Sequence, residues 1–166
     1  LETPGCMDST DINYDPLATV NDGSCNYDDY TIIPDPEFEA YLESNTGIVG
    51  DRYYNNFNSP REQITLIEQE VIQDFEKKVG QKIDHKDFRR NVITEGIPLT
   101  KLINKKIQIG SEVILKIHEI CEPCNYLQKK LKIDNLVKLL VNKSGVRAEI
   151  ITSGRIEIND KLIILD

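Results

Sequence analysis

The chain has 166 residues, 39% of them hydrophobic, and a formal net charge of -8 at pH 7. That length allows one ordinary domain, or a smaller domain with an appendage, and the apolar content suffices for a core. No run of about 18 apolar residues occurs, which excludes a membrane-spanning helix and leaves no membrane partner to expect.

The opening Leu1-Glu2-Thr3-Pro4 lacks the basic flank and apolar run of a signal peptide, and a first residue other than Met leaves room for sequence upstream. The sign of the charge splits along the chain. Residues 1–51 hold twelve Asp/Glu and no Lys or Arg (-12), while residues 52–166 hold all 20 Lys/Arg against 16 acids (+4). Such asymmetry marks two pieces with different partners. The mildly basic piece suits a small phosphorylated ligand and is too weakly basic to predict nucleic-acid binding. The cysteines divide two and two: Cys6 with Cys25 across a long loop, and Cys121 with Cys124 as a close C-x-x-C pair. A bridge in the first and working thiols in the second imply different redox compartments, extracellular and cytoplasmic.

Turn formers dominate residues 5–27, at Asn13, Asp15-Pro16 and Asn21-Asp22-Gly23. The stretch has too little apolar mass for a core. It is read as a disulfide-stapled module, a weak Ca²⁺ site of Asp and Asn oxygens, or a solvated acidic linker. A short helix is expected from Pro36, with Asp35 as N-cap and Phe38, Tyr41 and Leu42 on one face. The texture changes at Gly47, so residues 1–46 read as an acidic extension and 47–166 as the folded domain.

Within that domain, Gln63–Ile67 has strand character and Glu68–Val79 reads as an amphipathic helix stopped by Gly80. A short strand is expected at Asn91–Thr94 and a turn or helical turn over Pro98–Ile103. Lys106–Ile109 and Glu112–Ile120 follow as strands split by Gly110. Leu127 and Leu131 predict a helix after Cys124, and Asp134 is placed to cap another that runs through Val141. Arg147–Thr152, Arg155–Ile158 and Lys161–Leu165 are three closing strands. Many short strands with Gly-containing turns predict a mainly β fold, a barrel or curled sheet with a few helices packed outside.

Cys121-Glu122-Pro123-Cys124 falls where a strand ends and a helix begins. A helix N-terminus stabilises a thiolate, which can bind a soft metal, carry a persulfide sulfur or exchange disulfides. Two buried structural thiols are the plain alternative. A thioredoxin-like C-x-P-C dithiol oxidoreductase is a second reading, although that motif usually belongs to a parallel βαβ pattern. Zinc is not expected: His118, Cys121 and Cys124 lack a fourth ligand, and a strand would turn His118 and Cys121 to opposite faces. Arg89 and Arg90 flank a strand start, so one of them can face a pocket and fork onto a phosphate; a solvated basic pair is the alternative. His85 has no visible partner and reads as turn structure.

Two resemblances follow from these residues. Gly5, Cys6, Asp8, Asn13, Tyr14, Pro16, Ala18, Thr19 and Asp22-Gly23-Ser24-Cys25 resemble a short Cys-containing repeat of secreted marine bacterial surface proteins. Ile33–Glu43 resembles the lead-in to leucine-rich repeats. These imply an extracellular setting, with the segment as a binding or structural module.

The second resemblance rests on motifs in order: Gly50-Asp51-Arg52, Arg61-Glu62-Gln63-Ile64-Thr65-Leu66-Ile67, Arg90–Leu99, Ile109-Gly110, Cys121–Leu127, Gly145–Ile150 and Gly154–Asp160. Over residues 47–166 the chain resembles the MOSC domain, named for the C-terminus of molybdenum-cofactor sulfurase. The resemblance implies a β-barrel that handles sulfur and the molybdenum cofactor, with a family association to pyridoxal phosphate and a sulfur donor such as a cysteine desulfurase. It assigns molybdenum coordination or sulfur carriage to Cys124, with Cys121 as a supporting or resolving thiol. Phe88-Arg89-Arg90-Asn91-Val92 corresponds to the family's Phe-Arg-x-Asn-Ile motif, so Arg89, Arg90 and Asn91, with Asp51 and Arg52, are candidate cofactor contacts. Strands that usually precede the Gly-Asp-Arg motif would occupy residues 30–46. That segment reads as acidic and helical, so a barrel short of its first strands is expected.

Overall fold

The computed structural model describes residues 2–5, 7, 15–22, 39–51, 53–123 and 125–165. Ahead of the domain, β1 (Pro4–Gly5) and β2 (Val20–Asn21) form a two-residue parallel pair. The turn expected at Asp15-Pro16 is present: Leu17 N–H donates to Asp15 Oδ1 at 2.8 Å and Ala18 N–H to the Asp15 carbonyl at 3.0 Å. Cys6 and Cys25, with their expected bridge, lie outside the described residues.

Two sheets make the domain. The larger has the order β11-β7-β8-β9-β5-β6 and the smaller β10-β3-β4. Their strands are β3 (Glu39–Glu43), β4 (Gly47–Ile48), β5 (Ile64–Glu68), β6 (Val92–Thr94), β7 (Lys106–Ile109), β8 (Val113–Ile120), β9 (Val146–Thr152), β10 (Gly154–Glu157) and β11 (Leu162–Leu165). All pairings within them are antiparallel except β5 with β6. That exception follows from the connection: helix α1 (Gln69–Val79) carries the chain back, so β6 starts at the same end as β5. Among the described residues, the sheets curl as the alternating sequence predicts.

The helix expected from Pro36 is not formed over its second half. Residues 35–38 lie outside the described part, and Glu39–Glu43 is a strand paired to β10, with Leu42 opposite Gly154. Burial alternates with period two: Ala40 and Leu42 point in, and Tyr41 is 51% exposed. The barrel expected to lack its leading strands therefore has β3 and β4 in that place.

The β5 and β6 strands divide two cores. Ile64, Leu66 and Val92 join the barrel interior with Ile107, Ile109, Leu115, Ile117, Val146 and Ala148. Ile67 and Ile93, on the opposite face, pack with Ile72 and Phe75 of α1, Phe88, and Leu127, Leu136 and Leu140. Those last three come from α2 (Asn125–Leu131) and α3 (Leu136–Leu140). Helix α1 ends at Gly80, which is left-handed (φ 73°) and donates its N–H to Glu76. The cap expected from Asp134 is not used. Asn135 precedes α3 in a left-handed conformation, and Val137 N–H donates to Gln128 Oε1 at 3.3 Å.

Candidate functional site

A cavity of about 750 Å³ lies where the 50–58 loop, residues 86–91, the start of β5 and the ends of β8 and β9 meet. Asp51, Arg89, Arg90, Asn91 and Cys121 all line it. Arg52 and Cys124, the other two residues singled out from sequence, lie outside the described residues.

Cys121 follows β8 directly and is 6% exposed. Its backbone is held on both sides. Its N–H donates to the Gly145 carbonyl at 2.8 Å, and its carbonyl accepts from Arg90 Nη2 at 3.1 Å and from the Ser144 hydroxyl. The register brings this about: β8 and β9 run antiparallel to Ile120 opposite Val146, so the residue after β8 meets the residue before β9. Gly145 fits there because a Cβ on it would stand 2.1 Å from the Leu66 carbonyl oxygen.

Arg147 and Cys121 both line the cavity. Burial works against the Arg147 charge, but its interactions with Cys121, Glu62 and Glu119 outweigh it and hold the guanidinium above its ordinary value. Arg147 Nη1 stands 2.6 Å from Glu62 Oε1 and 3.5 Å from Glu119 Oε1. The sequence points to a helix N-terminus as the stabiliser of this turn's thiols. For Cys121 the adjacent positive group is a guanidinium, since α2 starts only at Asn125.

The two arginines differ. Arg89 ends the 3-10 turn His85–Phe88 in a left-handed conformation (φ 56°, ψ 39°), which turns its side chain to the cavity, 3.5 Å from the Tyr53 hydroxyl. Arg90 directs its nitrogens to backbone carbonyls: Nε to Ser144 at 2.8 Å, and Nη1 to Phe88 at 3.3 Å and Arg89 at 3.4 Å. Asn91 ties the lead-in of β6 to β5. Its Oδ1 accepts from Thr65 N–H at 2.9 Å and Thr65 Oγ1 at 2.7 Å, which turns its amide nitrogen away from Thr65. Asp51 accepts the Tyr53 N–H at 2.7 Å, a local turn contact.

His118 is the extra residue at an irregularity in the β8–β9 register, and its Nε2 stands 2.9 Å from Glu149 Oε2. Its partner is thus Glu149 on the neighbouring strand. Among the described residues, no group of three or more His, Cys, Asp or Glu is gathered to hold a metal ion.

Sequence reasoning assigned no role to several residues at this cavity. Arg147 and Glu62 sit inside quoted motifs, but their pairing spans 85 residues. Gln63 is 7% exposed; its Oε1 accepts the Ile150 N–H at 2.7 Å, and its Nε2 has no partner among the described residues. Lys86 adds a cation at the rim. The signal available was the Arg-Glu-Gln run ahead of β5, whose inward positions alternate with Ile64 and Leu66.

The cavity thus gathers Arg89, Lys86 and Arg147 with amide donors and one buried thiol, while its acids are partly engaged: Glu62 by Arg147, Asp51 by Tyr53 and Glu122 by Asn142 N–H at 3.1 Å. No curated protein matches the chain. Among solved structures, it is similar to YiiM from Geobacillus stearothermophilus, with TM-score 0.60 and 19% identity over 65% of this chain and 56% of that one. The chain thus spans little more than half of that protein's length. It is also similar to YiiM from Escherichia coli, with TM-score 0.65 and 15% identity over 83% and 70% of the two chains. The YuaD protein from Bacillus subtilis gives TM-score 0.63 and 19% identity over 81% and 92%. At such identities the likeness carries the fold. The MOSC domain family model matches residues 53–163, which leaves the amino-terminal repeat resemblance without support. With that match over well more than half of its length, the chain belongs to the MOSC domain family, a module associated with the molybdenum cofactor and sulfur chemistry.

Proposed function

We propose that the cavity seats the molybdenum cofactor or serves sulfur transfer, with Cys124 as the working thiol and Cys121 as its supporting neighbour. The observation that carries this reading is convergence. Arg89, Asn91, Cys121 and Asp51, from segments far apart in sequence, line one cavity whose volume of about 750 Å³ suits a cofactor-sized ligand.

The donor set fits such a group. Arg89 and Lys86 both line the cavity, and a guanidinium binds phosphate through two parallel N–H donors. The Asn91 amide nitrogen, turned away from Thr65, suits a ring acceptor that would otherwise need water. When bound, the cofactor supplies a metal centre for two-electron exchange of oxygen or sulfur atoms. Everything else falls to this chain. Arg89 and Lys86 would hold the anionic end, Asn91 would orient the ring edge, and Phe88 and Leu127 would exclude water from one wall. In sulfur carriage, the Cys124 thiolate attacks the outer sulfur of a donor persulfide, such as that of a cysteine desulfurase. The S–S bond breaks, the donor leaves as its thiolate, and Cys124 keeps the persulfide.

The test uses the full chain. After incubation with molybdopterin-bearing cofactor, elemental analysis is expected to find molybdenum near one per chain. After incubation with a loaded desulfurase, mass spectrometry is expected to find the added sulfur on the peptide holding Cys121 and Cys124. Cys124→Ser is expected to lose both; full binding and loading in that variant would refute the role of Cys124.

A further inference from the structure

We infer that Arg90 is a positioning residue that locks the thiol-bearing turn to the loop carrying Arg89, so that anion binding at Arg89 and thiol access at Cys121 are linked. The mechanical half stands on hydrogen bonds alone. The ligand half rests on the anion seat proposed at Arg89.

Arg90 reaches three separate segments from one planar group. Its Nε donates to the Ser144 carbonyl at 2.8 Å. Its Nη2 donates to the Cys121 carbonyl at 3.1 Å and the Ser144 hydroxyl at 3.2 Å. Its Nη1 donates to the Phe88 carbonyl at 3.3 Å and the Arg89 carbonyl at 3.4 Å. A guanidinium is rigid and flat, with donors in fixed directions, so carbonyls that share it cannot move independently. The Ser144 hydroxyl closes the ring by donating to Cys121, and Cys121 N–H fixes the same residue to Gly145.

On the other side of the fork stands an unfavourable backbone conformation. Arg89 is left-handed, which a residue with a side chain adopts only when its surroundings hold it there. Its N–H donates to Lys86 at 3.2 Å, and its carbonyl is the one that Arg90 Nη1 grips. That geometry aims Arg89 at the cavity. Any shift of Arg89 toward an anion moves this carbonyl, and the planar fork passes the movement to the Cys121 carbonyl. A lysine at 90 would present one nitrogen, which cannot span Cys121, Ser144 and Arg89 together.

The experiment follows iodoacetamide labelling of Cys121 in the full chain by peptide mass spectrometry, with and without inorganic phosphate. In the wild type, labelling of the 6% exposed Cys121 is expected to be slow, and phosphate is expected to change its rate by about threefold or more, saturating with phosphate binding measured by calorimetry. Arg90→Gln is expected to speed labelling without phosphate by about tenfold, because the turn opens locally more often. Its labelling rate is expected to ignore phosphate, and Arg90→Lys is expected to behave likewise. A folded Arg90→Gln that labels at the wild-type rate, or that keeps the phosphate response, overturns the inference. Should Arg90→Gln fail to fold, Ser144→Ala decides: intermediate acceleration with a weakened phosphate response supports the lock, and wild-type behaviour overturns it. A wild type that binds no phosphate refutes the anion seat at Arg89, and with it the linkage; the lock itself is then judged on phosphate-free labelling.

Discussion

Replacing Gly145 by alanine separates a steric demand from a conformational one. Gly145 has φ +99°, and a Cβ there would lie 2.1 Å from the Leu66 carbonyl oxygen, against 3.4 Å or more in ordinary contact. The left-handed backbone disfavours an L side chain by about 1–2 kcal/mol. Relieving the overlap requires β5 and β9 to separate where Leu66 pairs with Val146, an overpacking strain of about 1–3 kcal/mol. Gly145 also accepts the Cys121 N–H, and losing that bond removes about 1 kcal/mol more. The sum is roughly 3–6 kcal/mol, which for a domain of this size lowers Tm by roughly 10 °C or more. Gly80→Ala is the control. It too has positive φ (+73°), but nothing lies within 4 Å of its added Cβ, so only the backbone penalty of about 1–2 kcal/mol remains. Urea and thermal melts of both variants measure the difference. A Gly145→Ala protein no less stable than Gly80→Ala would refute the claim that the close approach to Leu66 fixes glycine there.

Two further outcomes follow from packing and burial. Phe88→Ala is expected to lose about 3–5 kcal/mol for the core side chain and about 1 kcal/mol for its edge contact with Phe75, whose ring centroid lies 5.9 Å away; an urea midpoint close to wild type would contradict that burial. Burial pushes the Glu68 carboxyl up, opposed by N–H donors of Leu99 and Thr100. A carboxyl raised in the folded state binds its proton more tightly there than in the unfolded chain. Its contribution is therefore fully present below the ordinary value of 4.5 and is lost as pH rises through the folded value. Glu68→Gln is expected to gain on the wild type as pH rises from acid to neutral; a stability difference constant across that range would show that Glu68 is not shifted.

Local pattern was enough for much of the fold. Val71, Ile72, Phe75 and Val79 repeat at helical spacing, and α1 ends at Gly80 as that spacing predicts. The strands β7, β8, β9 and β11 fall within a residue or so of their sequence bounds. The failure at residues 39–43 has a clear cause. Tyr41 and Leu42 satisfy a helical face as well as a strand's alternation, and what decides between them is pairing with β10, more than 100 residues away. The site divides in the same way. Cys121, Arg89 and Asn91 carry motifs that can be recognised one segment at a time. Arg147 does not, because a guanidinium gains its meaning from Glu62 and Cys121, and both reach it through sheet register. Arg90 and Arg89 are neighbours of the same type and both line the cavity, and only the folded backbone shows that Arg90 is engaged with the carbonyls of Cys121 and Ser144 while Arg89, itself left-handed, reaches toward Tyr53.

The shared wall formed by β5 and β6 makes the cavity's two sides answer to different interiors. Phe88, immediately before Arg89, is packed among Ile72, Phe75, Leu136 and Leu140, whereas the strand leading to Cys121 is backed by Ile107, Leu115 and Ile117. A change of volume in the helical lobe therefore reaches the mouth first through Phe88 and Arg89, a change in the barrel interior first through β8 and Cys121, and the Arg90 fork carries either one across. Variation in either lobe can retune the width of the opening without touching a lining residue, with Arg90 as the hinge pin between the two halves.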